Sequence, residues 1–100
     1  MVQHPGAALA AFASYMRGEE PLKVELATAP RLDLWEPVVR TRDGVKSLVL
    51  KGSVRGHPSY RDDEDICTSA VLWLDRKHRW ARTRGRLYVL EGRAIDMEGI

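Results

Sequence analysis

Two of the three histidines, the single cysteine, an unbroken run of acids and the densest run of basic residues all lie between residues 56 and 86. His57 and Cys67 are the pair a thiol hydrolase would need, a base and a nucleophile. They flank the run Asp62, Asp63, Glu64 and Asp65, however, and carboxylates beside a thiol raise its pKa and blunt it as a nucleophile. Packing of Cys67 as a small strand residue is the simpler expectation. The four acids could pair for general acid and base work or hold Mg²⁺. They lack the alternation of a calcium loop, and a solvated loop is the commoner use of such a run. His4, His57, His78 and Cys67 are scattered with no C-x-x-C or H-x-x-x-H spacing, so no metal site and no cofactor are expected. Glycine-rich phosphate loops of the GxGxxG or Walker type are absent from the sequence.

The remaining chemistry belongs to RKHRWARTRGR, residues 76 to 86. Six of the sixteen Lys and Arg residues fall here (Arg76, Lys77, Arg79, Arg82, Arg84 and Arg86), with Trp80 among them and no acid. Elsewhere ten Lys and Arg face fourteen Asp and Glu, so a mildly acidic body carries one strongly basic element. Such a stretch suits a nucleic-acid contact, a docking surface for an acidic protein, or a solvated hairpin whose arginines merely lie over the indoles in cation–π contacts.

The elements that must position these groups follow from pattern. One hundred residues make one domain, 1–100, with one modest core, and the 44% apolar and 30% charged fractions are those of a folded globular chain. The apolar run AALAAFASYM is about half of what a bilayer span needs, and it lacks a basic leader and cleavage site. No membrane association is expected, and a single cysteine makes a reducing, cytoplasmic setting the default.

Residues 1–30 read as helical. Leu9, Phe12, Ala13 and Met16 recur at i, i+3, i+4 and i+7, Pro5 suits a first turn and Gly18 a stop. A second short helix is expected from Pro21 to about Thr28 with Leu22 and Leu26 on one side, ended by Ala29 before Pro30. Residues 34–92 read as antiparallel strands. Asp43-Gly44 between β-branched runs predicts a two-residue hairpin in which Arg42 faces Val45 and Val39 faces Leu48, with Pro37 at a strand start or edge. RGHPSYRDDEDIC reads as the longest loop, and AIDMEGI as a fraying tail.

ICTSAVLWLD and RWARTRGRLYVLEG predict a second hairpin with Gly85 as a bulge or kink. Its register sets Trp73 opposite Trp80 and Val71 opposite Arg82. Trp73, Trp80, Val71, Arg82 and Arg84 would then share an exposed face, while Ala70, Leu72, Ala81 and Thr83 pack under the helix. An odd-length loop would reverse that parity. The fold class expected is α+β: an N-terminal helix, or two short ones, on a four- to five-stranded antiparallel meander or small β-barrel.

The run from Gly56 to Leu90 also resembles a set of short bacterial proteins of unknown function, mainly alphaproteobacterial and often encoded near mobile elements. The residues that carry the resemblance are Gly56, His57 and Pro58; Thr68 and Ser69; Asp75; Ala81, Arg82 and Thr83; and Arg86, Tyr88 and Leu90. Asp62 to Asp65 depart from the usual glycine-containing turn. The resemblance implies a small β-rich domain and carries over no catalytic residue.

The function expected is a small non-enzymatic binding module. Trp73, Arg76, Lys77, Arg79, Trp80, Arg82, Arg84 and Arg86 would engage nucleic acid or a nucleic-acid-handling protein with an acidic surface. Two alternatives stand beside it. One is a phage or mobile-element inhibitor or accessory protein that docks on another protein, with homodimerisation open; the other is a minor hydrolase using His57 and the acidic loop.

Overall fold

The structure, a computed structural model, describes residues 5–94, with side chains from residue 10 onward. His4, the side chain of Leu9 and residues 95–100 of the expected tail lie outside the described residues.

Two helices precede six strands: α1 (Pro5–Met16), α2 (Lys23–Thr28), β1 (Arg31–Arg42), β2 (Val45–Arg55), β3 (Glu64–Cys67), β4 (Val71–Leu74), β5 (Trp80–Thr83) and β6 (Leu87–Leu90). Gly18 at φ +89° follows α1, and Ala29, extended ahead of Pro30, closes α2. The fold is α+β, as expected. The sheet is nevertheless six-stranded, mixed and open, in the order β3-β2-β1-β6-β5-β4, and not a four- to five-stranded antiparallel meander or a barrel.

Two features of the chain account for the difference. Thr68–Ala70 interrupts ICTSAVLWLD, which therefore supplies two strands on opposite edges of the sheet. Thr83–Arg86 interrupts RWARTRGRLYVLEG, because the Thr83 hydroxyl accepts from the N–H groups of Gly85 (3.2 Å) and Arg86 (3.1 Å) and turns the backbone. The predicted kink at Gly85 is thus a complete turn. β6 then runs parallel to β1, pairing Arg31 with Val89 and Leu32 with Leu90.

The three-residue passage from β3 to β4 also shapes the sheet. Four Cα steps span about 15 Å at most, whereas the edges of a flat six-stranded sheet lie about 24 Å apart. The sheet must curl, and it acquires an inner and an outer face. Leu32, Trp35, Leu50, Val54, Ile66, Ala81, Tyr88 and Leu90 fill the inside. On the outside, α1 and α2 cover β4 to β6, and Tyr15, Trp80 and Leu87 form a second cluster with Ala11, Leu26, Ala29 and Trp73 at its margin.

The expected face of α1 is corrected here. Among its described side chains Tyr15 is the buried one, while Ala13 is exposed and Met16 is 65% exposed. Alanine lies on every side of this helix, so apolar spacing alone leaves its inner face undefined, and the aromatic contacts of Tyr15 and Phe12 with the tryptophans decide it. In α2, Leu26 is half-buried and Leu22 is exposed, so the two do not share a buried side.

The first hairpin has the predicted register, Arg42 opposite Val45 and Val39 opposite Leu48. Asp43 (φ +51°) and Gly44 (φ +76°) both occupy the left-handed region, as a type I′ turn requires. Pro37 lies within β1, opposite Leu50, yet without loss of a bond. Leu50 turns its own N–H and C=O the other way, to the Thr68 hydroxyl (3.0 Å) and the Thr68 N–H (2.8 Å). The Pro37 nitrogen therefore faces the side on which β6 pairs only at Arg31 and Leu32, a local edge.

A bulge at Leu34 (φ +51°) and Trp35, opposite the single residue Gly52, puts both Leu32 and Trp35 on the inner face. The Trp35 N–H donates to the Gly92 carbonyl (3.1 Å) and its indole N–H to that of Glu91 (3.2 Å). A Cβ on Gly52 would meet the Asp33 carbonyl oxygen at 2.8 Å, so the bulge needs glycine opposite it.

Candidate functional site

The expected Trp and Arg face of the second hairpin exists, but it is the outer face of the sheet and is buried under α1 rather than exposed. Asp75 N–H donates to Trp80 O (3.0 Å), and Leu74 pairs with Ala81 and Trp73 with Arg82. The register is displaced from the expected one, yet its parity is the same. Trp73, Trp80 and Arg82 share a face, and a shift at Leu72 moves Val71 to the other one, where it packs on the inner core.

α1 covers that face. The Tyr15 ring lies 4.8 Å from Trp80 and 6.1 Å from Trp73, Phe12 meets Trp73 edge-on at 5.8 Å, and the Arg82 guanidinium hydrogen-bonds the Tyr15 phenol. Burial pushes the Tyr15 phenol above its ordinary pKa, with Arg82 opposing. Trp80 is 3% and Arg82 5% exposed, so neither is a surface on which a base could stack.

Arg79 closes the hairpin. Its Nε donates to buried Asp75 Oδ2 (2.8 Å), its Nη2 to Asp75 Oδ1 (3.2 Å) and to Glu20. These bonds hold the Asp75 carboxyl below the usual carboxylate range against the opposing effect of burial. Arg76 and Lys77 remain exposed at the tip, Arg86 is half-buried, and Arg84 is exposed at the far end of β5.

Arg84 has unexpected company. Strand alternation puts Val38, Arg40 and Arg42 of β1 on the same face as Val49, Ser47 and Val45 of β2. The opposite wall is Ser69 and Ala70, with Arg84 bonded through its N–H to Ala70 O (2.9 Å). Between the walls lies an open cleft of about 400 Å³, bordered by Arg40, Arg42 and Arg84, with Asp43 at the turn. The Arg84 backbone is held firmly, because Gly85 N–H donates to Ser69 Oγ (3.0 Å) as well as to Thr83.

Among the described residues none of the three arginines has an ion-pair partner within 4.0 Å. The Thr68 hydroxyl is occupied by Leu50 N–H and Ser69 O. Those of Ser47 and Ser69 can still donate. Such a lining offers forked donors, groups of the kind that can pair with an anion. A depression of about 480 Å³ beside α2 is floored by Leu26, Trp80 and Val89, but its Glu20 and Arg79 are paired with each other.

His57 stands apart from the acids. Its Nδ1 accepts from Ser59 N–H (2.9 Å), and its ring lies against Tyr60 (4.6 Å) and Tyr88 (6.1 Å). Burial lowers its pKa, and nearby Arg86 lowers it further, so the neutral imidazole is favoured. Asp62 accepts from Gly56 N–H (2.9 Å) and Glu64 from Arg61 N–H (3.3 Å), so these acids shape the turn into β3, and the last part of the expected loop, Glu64–Cys67, is strand paired to β2. Cys67 is exposed on β3. Among the described residues no three of His, Cys, Asp and Glu converge as a metal site, and no helix is long and apolar enough to cross a membrane.

Arg40, Arg42 and Ser47 were missing from the sequence-derived site. The signal for half of it was present, since Val38-x-Arg40-x-Arg42 before an Asp-Gly turn places both arginines on one face. Their meeting with Arg84 depends on the passage from β3 to β4, which strand patterns do not announce. No protein-family model, no curated protein and no solved structure matches the chain.

Proposed function

We propose that the protein is a nucleic-acid-binding module whose Arg40, Arg42 and Arg84 side chains grip the phosphate backbone. The observation that carries this reading is that Arg40, Arg42 and Arg84 line one cleft together with Ser47 and Ser69, with no ion pair to any of the three among the described residues. Arginine offers a planar fork of donors matched to phosphate oxygens. Contacts of this kind set position and affinity with little dependence on base sequence. Trp73, Trp80, Arg79 and Arg82 support the scaffold in this reading, and the contact moves from the second hairpin to the junction of the two.

Fluorescence anisotropy with labelled 20-mers tests it. Wild type binds with an affinity that weakens steeply with salt, and the doubly substituted Arg40→Glu, Arg42→Glu protein binds at least tenfold more weakly while its thermal melt is unchanged. Absence of wild-type binding at low salt ends the reading.

Docking on an acidic protein surface, as an inhibitor or accessory factor would do, is the second reading. It is favoured by Val45, 67% exposed beside Arg42, and by exposed Val39, apolar contacts that a phosphate backbone would leave unused. It calls for a partner that survives nuclease treatment and is lost in the same double variant.

A further inference from the structure

Resting on that reading, we infer that the cleft takes a single nucleic-acid strand, laid lengthwise between the first hairpin and the Ser69–Arg84 wall, in preference to a duplex. Arg40 and Arg42 are two residues apart on one face of β1, about 6.6 Å along the strand, comparable with the separation of successive phosphates in one chain. Arg84 reaches the cleft from the other wall. A backbone touched by all three must lie down between the walls. In a duplex that backbone is joined to stacked pairs and a second strand, a bulk far larger than a cleft of about 400 Å³ takes in. A cleft of about 400 Å³ is on the scale of a short stretch of one sugar–phosphate chain, with the arginines along its border.

The hairpin could in principle enter a duplex groove as a two-stranded ribbon. Its tip, however, is Asp43-Gly44, which leads with a carboxylate where a ribbon must pass between two rows of phosphates. The cleft itself is lined by Val45, Val49 and Ala70 with the serines, and among the described residues no aromatic ring borders it. Base stacking, the usual source of base preference on single-strand platforms, is absent from such a site. Recognition is then of the backbone.

The test compares 12-mer oligo(dT) and oligo(dA) with a 12-base-pair duplex across a salt series. Three phosphate contacts on a single strand give a slope of log K against log salt of about −2, which is about 16-fold weaker binding at 200 mM than at 50 mM salt. Both homopolymers bind within about threefold of each other and at least tenfold tighter than the duplex. Arg84→Gln makes the slope shallower by about 0.7, the share of one phosphate.

Duplex binding as tight as single-strand binding, or a salt slope unchanged in Arg84→Gln, overturns this inference and leaves nucleic-acid binding standing. A strong preference between the homopolymers overturns the backbone-only mode. Binding to none of the probes at 50 mM salt removes the parent reading as well.

Discussion

The two arginine-bearing hairpins of this protein use the same side chain in opposite ways. In the β4–β5 hairpin, Arg82 is buried against Tyr15 and Arg79 is clasped by Asp75 and Glu20, so positive charge is consumed in holding strand to helix. In the β1–β2 hairpin, Arg40 and Arg42 lie on a ribbon whose residues 39–46 are all exposed, and neither has an ion-pair partner among the described residues. Density of charge in the sequence points to the first of these, availability of charge in the fold to the second. A guanidinium already satisfied by its own protein has little left to offer a ligand.

The contrast can be broken at its strongest point by Trp80→Ala. Removing a ring buried between α1 and the sheet lowers unfolding free energy by about 3–5 kcal/mol, read as a shift in urea midpoint; an unchanged midpoint would mean that this hairpin is not scaffold. A smaller loss, about 5 °C in melting temperature, is expected of Asp75→Asn at pH 7. Because the native Asp75 pKa is depressed, its contribution is complete above the ordinary carboxylate value of about 3.9 and disappears as pH falls towards the lower native value. Wild-type melts should therefore lose more stability over that acid window than those of Asp75→Asn, and parallel curves would refute the clasp. Least affected should be the Arg76→Glu, Lys77→Glu double variant, whose exposed tip lies across β5 from Arg84. Its stability changes by less than about 0.5 kcal/mol, and its oligonucleotide affinity at 150 mM salt by less than about threefold, since charges farther apart than about 8 Å are largely screened there.

How much of this was legible in the sequence depended on how local each determinant was. The register around Asp43-Gly44 was readable because a two-residue turn with both φ angles positive leaves one pairing of the flanking residues. That Trp73, Trp80 and Arg82 share a face was readable too, because parity survives a shifted loop. Whether that face is wet or dry was not, since the answer lies in Tyr15, some sixty residues upstream in an alanine-rich helix with no declared inner side. The turn made by the Thr83 hydroxyl, the Leu34–Trp35 bulge and the parallel pairing of β1 with β6 left no periodic trace. The Arg84 half of the candidate cleft depended on the passage from β3 to β4, which is equally silent in the pattern, and its Arg40–Arg42 half did not.

The pairing of Leu32 with Leu90 has a consequence for the order of assembly. The β1–β2 hairpin closes over two residues and can form within microseconds, whereas the second side of β1 must wait for a strand more than fifty residues downstream. Long-range parallel contacts of this kind slow folding, because the chain entropy of closing the loop is lost before any contact rewards it. Until β6 arrives, the β1 edge at Arg31 and Leu32 is an open template for other chains. A ribosome-bound chain would carry that edge uncovered until the segment of β6 had been made and released.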